Sequence, residues 1–257
     1  MGIQLLVTLG GTFLIMGSIV HQYGMGIFKT DQFHELLMKG MLQYMTGMVL
    51  LSNLLTILCF WMFFRFRHKS FVKTIGLSGT SPKNLVLSSF CGVGVCFFVD
   101  LMTQILPIPE SIMDQFETQH GMLWFGDVGL TFLSVAIIGP VSEEICFRGL
   151  CYTRLKAAMR PWAAGLISSV FFGLAHGDPV WFLVGFAAGL FLSWVFETTG
   201  SLLCAIVVHV TNNALSSLTA YYPMSPILNR ILNFTCIGIM VIAGFLLYKT
   251  NKTPNEE

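Results

Sequence analysis

Long apolar runs broken by short polar or turn-forming segments recur along the whole chain. Eight of them, at residues 3–20, 41–64, 85–106, 123–141, 162–175, 180–196, 201–218 and 227–248, approach the length a helix needs to cross a bilayer, about 20 residues. The fifth run is short, about 14 residues, and the fourth continues without a clear stop into Glu143. Only helices and closed barrels satisfy their own backbone polar groups in lipid, and runs of this length suit helices. The pattern predicts an all-α, polytopic membrane bundle of about eight transmembrane helices.

Composition sharpens this picture. Of the 257 residues, 54% are hydrophobic and 11% charged, against about 25% charged in an ordinary soluble domain. That is too little charge to cover a water-facing surface, and too much apolar content for a disordered chain. A net charge of +1 with no long basic run gives no support to nucleic-acid binding; the expected partner is the lipid bilayer. The seven cysteines, Cys59, Cys91, Cys96, Cys146, Cys151, Cys204 and Cys236, form no CxxC pair and read as small buried hydrophobes. Aromatics such as Trp124, Tyr152, Trp162, Tyr221, Tyr222 and Tyr248 fall near run ends, as an interfacial belt should.

Lys and Arg follow the second, fourth and eighth runs, whereas the loop after the third carries Glu110, Asp114 and Glu117 without a basic residue. By the positive-inside rule, eight spans then place both termini in the cytoplasm. The first run lacks the charged start and cleavage site of a signal peptide and is taken as a span. Residues 1–83 are expected to form two N-terminal helices and a cytoplasmic loop, 84–250 a core, and 251–257 a frayed cytoplasmic tail.

Ionisable groups at membrane depth are costly unless paired or turned to a watery cavity, so they mark candidate chemistry. Glu143 and Glu144 are adjacent, about 100° apart on a helix, and Glu144 can pair with Arg148 one turn on, leaving Glu143 the less neutralised carboxylate. The same charges could instead mark a cytoplasmic helix end. His176, at the end of the fifth run, could be an interfacial residue. His209 and Asn213 share one face of the seventh run, where they could act on one point or glue helices together. Asp100, with Gln104 one turn on, reads as a packing or accessory residue, and Asp127 as interfacial. Gly185 and Gly189 form a GxxxG packing motif. A set of two Glu, two His, one Asn and one Arg could activate water and stabilise an oxyanion, or bind zinc through N and O ligands.

The order EExxxR (Glu143, Glu144, Arg148), FxxxH (Phe172, His176) and HxxxN (His209, Asn213), with Phe147, Gly149 and the turn Thr199, Gly200, Ser201, resembles one family. It is the CPBP/Abi family of intramembrane proteases, which includes type II CAAX prenyl endopeptidases and bacteriocin-processing and self-immunity proteins. The resemblance covers about residues 125–220. It implies that Glu143 activates the attacking water, that Glu144 and Arg148 hold and tune it, that His176 positions the water, and that His209 and Asn213 form the oxyanion hole. It also implies an endopeptidase acting on a peptide or membrane-anchored protein in a bacterial plasma membrane. Members are often labelled metalloproteases; a divalent metal such as zinc would take Glu143, His176 and His209, and a metal-free glutamate mechanism is the alternative. A non-catalytic immunity or peptide-binding protein of the same fold is the competing function. A proton-coupled transporter finds no inverted repeat to support it. With straight helices at these boundaries, Glu143 and His176 lie about one leaflet apart. A shared site therefore requires the fourth helix to run past Arg148 or the fifth to start before Trp162.

Overall fold

The structure, a computed structural model, describes residues 2–122 and 127–252. Helices α1 (Gly2–Tyr23) and α2 (Asp31–Phe66) form an antiparallel hairpin, joined by a turn in which Gly24 takes φ 79°. Gly11 faces Met48 and Gly40 faces Ile15 across the pair, so small residues let the two backbones approach. Ile15, Ile19, Ile27 and Phe33 make a small cluster there. The loop that follows carries one short helix, α3 (Phe71–Thr74), capped by Ser70.

Helix α4 (Pro82–Ile105) starts with the Ser81 hydroxyl accepting from Asn84 N at 3.2 Å. It packs against α9 (Leu202–Tyr221) and α10 (Pro226–Asn251). A Cβ on Gly92 would meet the Val208 carbonyl at 2.5 Å, and one on Gly94 the Cys236 carbonyl at 2.6 Å, so both contacts require glycine. Lipid is as apolar as the side chains it would replace, and such close approach is what holds membrane helices together. Helix α5 (Glu110–Met122) lies against the start of α8 (Pro179–Thr199), where Phe116 packs on Trp181.

Helix α6 (Val128–Lys156) is one continuous element that starts at Asp127, whose Oδ1 accepts from Leu130 N at 2.7 Å. Two π-helical stretches, Phe132–Ile138 and Ile145–Tyr152, flank an α-helical stretch at Gly139–Glu144. Helix α7 (Pro161–Leu174) packs along α8, and α8 ends at Gly200 in the left-handed conformation, φ 62°. The ends of α6, α8 and α10 and the starts of α4 and α9 gather on one side. Asn84 and Asn251 exchange amide hydrogen bonds of 3.0 and 3.2 Å there, and Leu202 N donates to Gly76 O at 2.9 Å. Ile75, Tyr152, Val195, Leu202 and Val208 form the middle of the core, while Phe13, Leu14, Val241, Ile242 and Phe245 point outward, as a lipid-facing wall requires.

The chain is a multi-pass, all-α membrane bundle. Each of the eight expected runs is helical where it is described, and among the described residues seven helices are long and apolar enough to cross a membrane. The eighth, α7, has 14 residues, or about 21 Å, short of the roughly 30 Å of a bilayer's hydrocarbon core. Two helices extend well beyond the apolar runs. The polar start of α2 continues the helix ahead of residue 41, and α6 runs 15 residues past residue 141. Of the expected fourth span, residues 123–126 lie outside the described residues, as do Trp124 and most of the tail, 253–257. Tyr152 is no belt residue: it is buried, and its hydroxyl donates to Glu197 Oε2 at 2.7 Å. Cys59 is exposed, not buried; Cys146 and Cys151 are half-buried.

Candidate active site

Chain geometry removes the depth conflict between Glu143 and His176. Glu143 stands 13 residues before the end of α6 at Lys156, and His176 stands 15 residues after the start of α7 at Pro161. At 1.5 Å per residue both lie about 20 Å from the turn that joins these helices. Contacts between the two helices agree: the Phe147 and Phe172 rings are 5.1 Å apart, and Ser168 Oγ donates to Phe147 O at 2.8 Å.

Glu144 is the hub. Its side chain and that of Arg148 are both fully buried, and its Oε1 accepts from Arg148 Nη1 at 3.0 Å and from His209 Nδ1 at 2.8 Å. Arg148 Nη2 donates to Gly189 O at 3.1 Å, and the guanidinium lies 4.3 Å from the centre of the Phe172 ring. A charge this deep is tolerable only with such partners. Gly189 is needed for it, since a Cβ there would stand 3.0 Å from Ser169 Cβ and 3.1 Å from Arg148 Nη2. Among the described residues, Glu144 Oε2 and Arg148 Nε are buried without a hydrogen-bond partner.

His209 sits between the two glutamates, with Nε2 3.7 Å from Glu143 Oε2. Glu143 is the accessible member: its side chain is 35% exposed, against 8% for His209. His176 joins through Phe172. Its Nδ1 is 2.8 Å from the Phe172 carbonyl, an acceptor near the helix end, so Nδ1 is the donor, and in the neutral ring Nε2 keeps a lone pair. The Phe172 ring lies 4.9 Å from the His176 ring and 5.8 Å from the His209 ring. Trp181 stacks on the His176 ring at 6.1 Å and 26°, and Phe116 of α5 packs on Trp181 at 5.0 Å. Asn213 Nδ2 donates to Val135 O at 3.0 Å, in the first π-helical stretch of α6, and Asn213 Oδ1 accepts from Asn212 Nδ2 at 2.8 Å.

The structure thus brings Glu143, Glu144, Arg148 and His209 into one network, with His176 attached through an aromatic ring and Asn213 through a backbone carbonyl. No hydrogen bond or ion pair among the described residues joins His176 to Glu143. Among those residues, no three His, Cys, Asp or Glu side chains stand close enough to hold a metal ion, so Glu143, His176 and His209 do not form a ligand set. Sequence reasoning missed Trp181, and it assigned Gly185 and Gly189 to helix packing alone. Gly189 admits Arg148, and a Cβ on Gly185 would stand 3.4 Å from His176 Nδ1, so the GxxxG signal was present but its meaning lay across the helix interface. Asp100, which lacked a partner in sequence, accepts on Oδ2 from Gln104 Nε2 at 2.6 Å and from Asn229 and Asn233 Nδ2 at 2.9 Å each. Asp127 is the cap of α6.

Residues 126–215 match the model of the family "Type II CAAX prenyl endopeptidase Rce1-like". The chain is also similar to a Bacillus subtilis protein named "Putative membrane peptidase YdiL", with 28% identity over 120 residues, 47% of this chain and 48% of that protein. The match thus spans about half the length of that curated relative. No solved structure matches the chain significantly.

Proposed function

Starting from the Rce1-like membership of residues 126–215, we propose that the protein is an intramembrane endopeptidase that hydrolyses a peptide bond in a peptide or membrane-anchored protein. The observation that carries this reading is the graded exposure of the carboxylate pair. Glu144 is sealed and neutralised by Arg148, while Glu143 stays accessible beside His209.

In this scheme Glu143 is the general base. It takes a proton from water as the water oxygen attacks the scissile carbonyl, and gives that proton to the leaving amine nitrogen as the C–N bond breaks. His176 Nε2, left as an acceptor by the Nδ1 bond to the Phe172 carbonyl, accepts a hydrogen bond from the water's second O–H and so orients the water. Glu144 holds the His209 ring by accepting from Nδ1, and when the ring carries both protons, as an imidazolium between the two glutamates, its Nε2–H donates to the developing oxyanion. The second amide hydrogen of Asn213 supplies the other donor. No step is routed through a metal, because the three candidate ligands are not assembled. Both termini are proposed to face the cytoplasm of a bacterial cell.

The test compares peptide termini by mass spectrometry in cells carrying wild type, Glu143→Gln or His209→Ala at matched expression. Termini that appear only with wild type support proteolysis and identify the substrate. Identical termini in all three, with a biological effect that survives both substitutions, replace this reading with a peptide-binding or immunity protein.

A further inference from the structure

The chain holds no Asp or Glu between Glu35 and Asp100, yet Arg65, Arg67, Lys69 and Lys73 crowd the end of α2 and the loop after it. All four side chains are exposed. Among the described residues none of them forms an ion pair, and the acidic Glu197 at this end of the bundle is committed to Lys156 at 2.6 Å. Just before them, Trp61, Phe63 and Phe66 are 49%, 54% and 74% exposed, an apolar collar that sets the cations at the edge of the lipid. We propose that residues 65–73 form a binding surface for the phosphate-bearing headgroups of anionic lipids, which supply the countercharge these four cations lack.

The surface is tied to the bundle. Behind it Ile75 is fully buried, 2.9 Å from where a Cβ of Gly149 would stand. Ser201 Oγ donates to Ser78 O at 2.7 Å, and Ser78 Oγ to Gly200 O at 2.9 Å. Headgroups held on residues 65–73 therefore brace a loop that clamps the ends of α6 and α8 and the start of α9, and binding should raise the melting temperature. This inference is independent of catalysis.

The purified full chain in neutral detergent is titrated with phosphatidylglycerol or phosphatidylcholine of the same acyl chains, reading retained lipid by native mass spectrometry and unfolding by thermal melt. Wild type is expected to retain phosphatidylglycerol about tenfold better and to melt higher with it. The R65Q/R67Q/K69Q/K73Q variant loses both effects, whereas K29Q/K39Q/R230Q, which removes exposed cations elsewhere, keeps them. Equal effects of the two lipids on wild type, an equal loss in both variants, or the same melting shift from free glycerol phosphate each overturn the proposal. If the loop variant does not fold, wild type decides alone: phosphatidylglycerol retention that persists in roughly 0.5 M NaCl, where screening is strong, also overturns it.

Discussion

At the scale of single residues, Glu144 and Glu143 illustrate how neighbouring carboxylates acquire different duties from their surroundings alone. Replacing Arg148 by Met removes the guanidinium paired with the sealed Glu144, at an expected cost of about 3–5 kcal/mol because a buried charge is left behind. Thermal melting in detergent measures it. Arg148→Lys should also destabilise, since an ammonium cannot reach Glu144 and Gly189 together while stacking on Phe172. Glu143→Gln, at a half-open position, is expected to leave melting unchanged and to slow peptide cleavage by about 100-fold or more. Trp181→Ala removes the ring stacked on His176. It should lower kcat more than it raises KM, with recovery in Trp181→Phe, and a steady-state comparison of the three proteins separates positioning from substrate binding.

At the scale of elements, α6 does most of the arranging. Its two π-helical stretches change the direction of successive side chains on either side of Gly139–Glu144, and such irregular turns often occur at functional sites. The first of them contains the carbonyl of Val135 that Asn213 uses. None of this was legible in the sequence, because every residue carries the same backbone carbonyl and nothing in the residue types of 132–138 announces a wider turn. The carboxylates and histidines were legible for the opposite reason: each is an expensive group inside an apolar run. Helix existence was legible from hydropathy, but the ends of α2 and α6 were not, since hydropathy reports where lipid stops and not where the helix does. Asp100 stayed without partners for another reason, because two of its donors come from α10, 129 and 133 residues away. On α4, Gly94→Val is expected to weaken the α4–α10 contact and lower the melting temperature, as its Cβ would press on the Cys236 carbonyl.

At the scale of the whole molecule, the bundle gathers one set of helix ends around residues 75–84, 149–156 and 199–202 and leaves α5 at the other. Single cysteines introduced at Lys73 and Lys249 in a cysteine-free background should therefore label from the same side of the membrane, and one at Asp114 from the opposite side. A membrane-impermeant maleimide on intact and broken cells reads this out, and the proposed orientation requires Asp114→Cys to be the one reached in intact cells. Cleavage should also survive chelation, because the site offers no three-ligand set; loss of activity with a chelator and its return with zinc would contradict the proposed mechanism.

The Phe172 ring touches the Arg148 guanidinium, the Phe147 ring and both histidines at once. Its neighbours are therefore not free to drift one at a time. Paired substitutions around Phe172 should be strongly non-additive, whereas pairs far apart on the lipid-facing wall should simply add. Over generations such a ring acts as a ratchet: once the cation and the two imidazoles have settled against it, most single steps away from the arrangement lead downhill, and change is channelled to the parts of the chain that meet lipid.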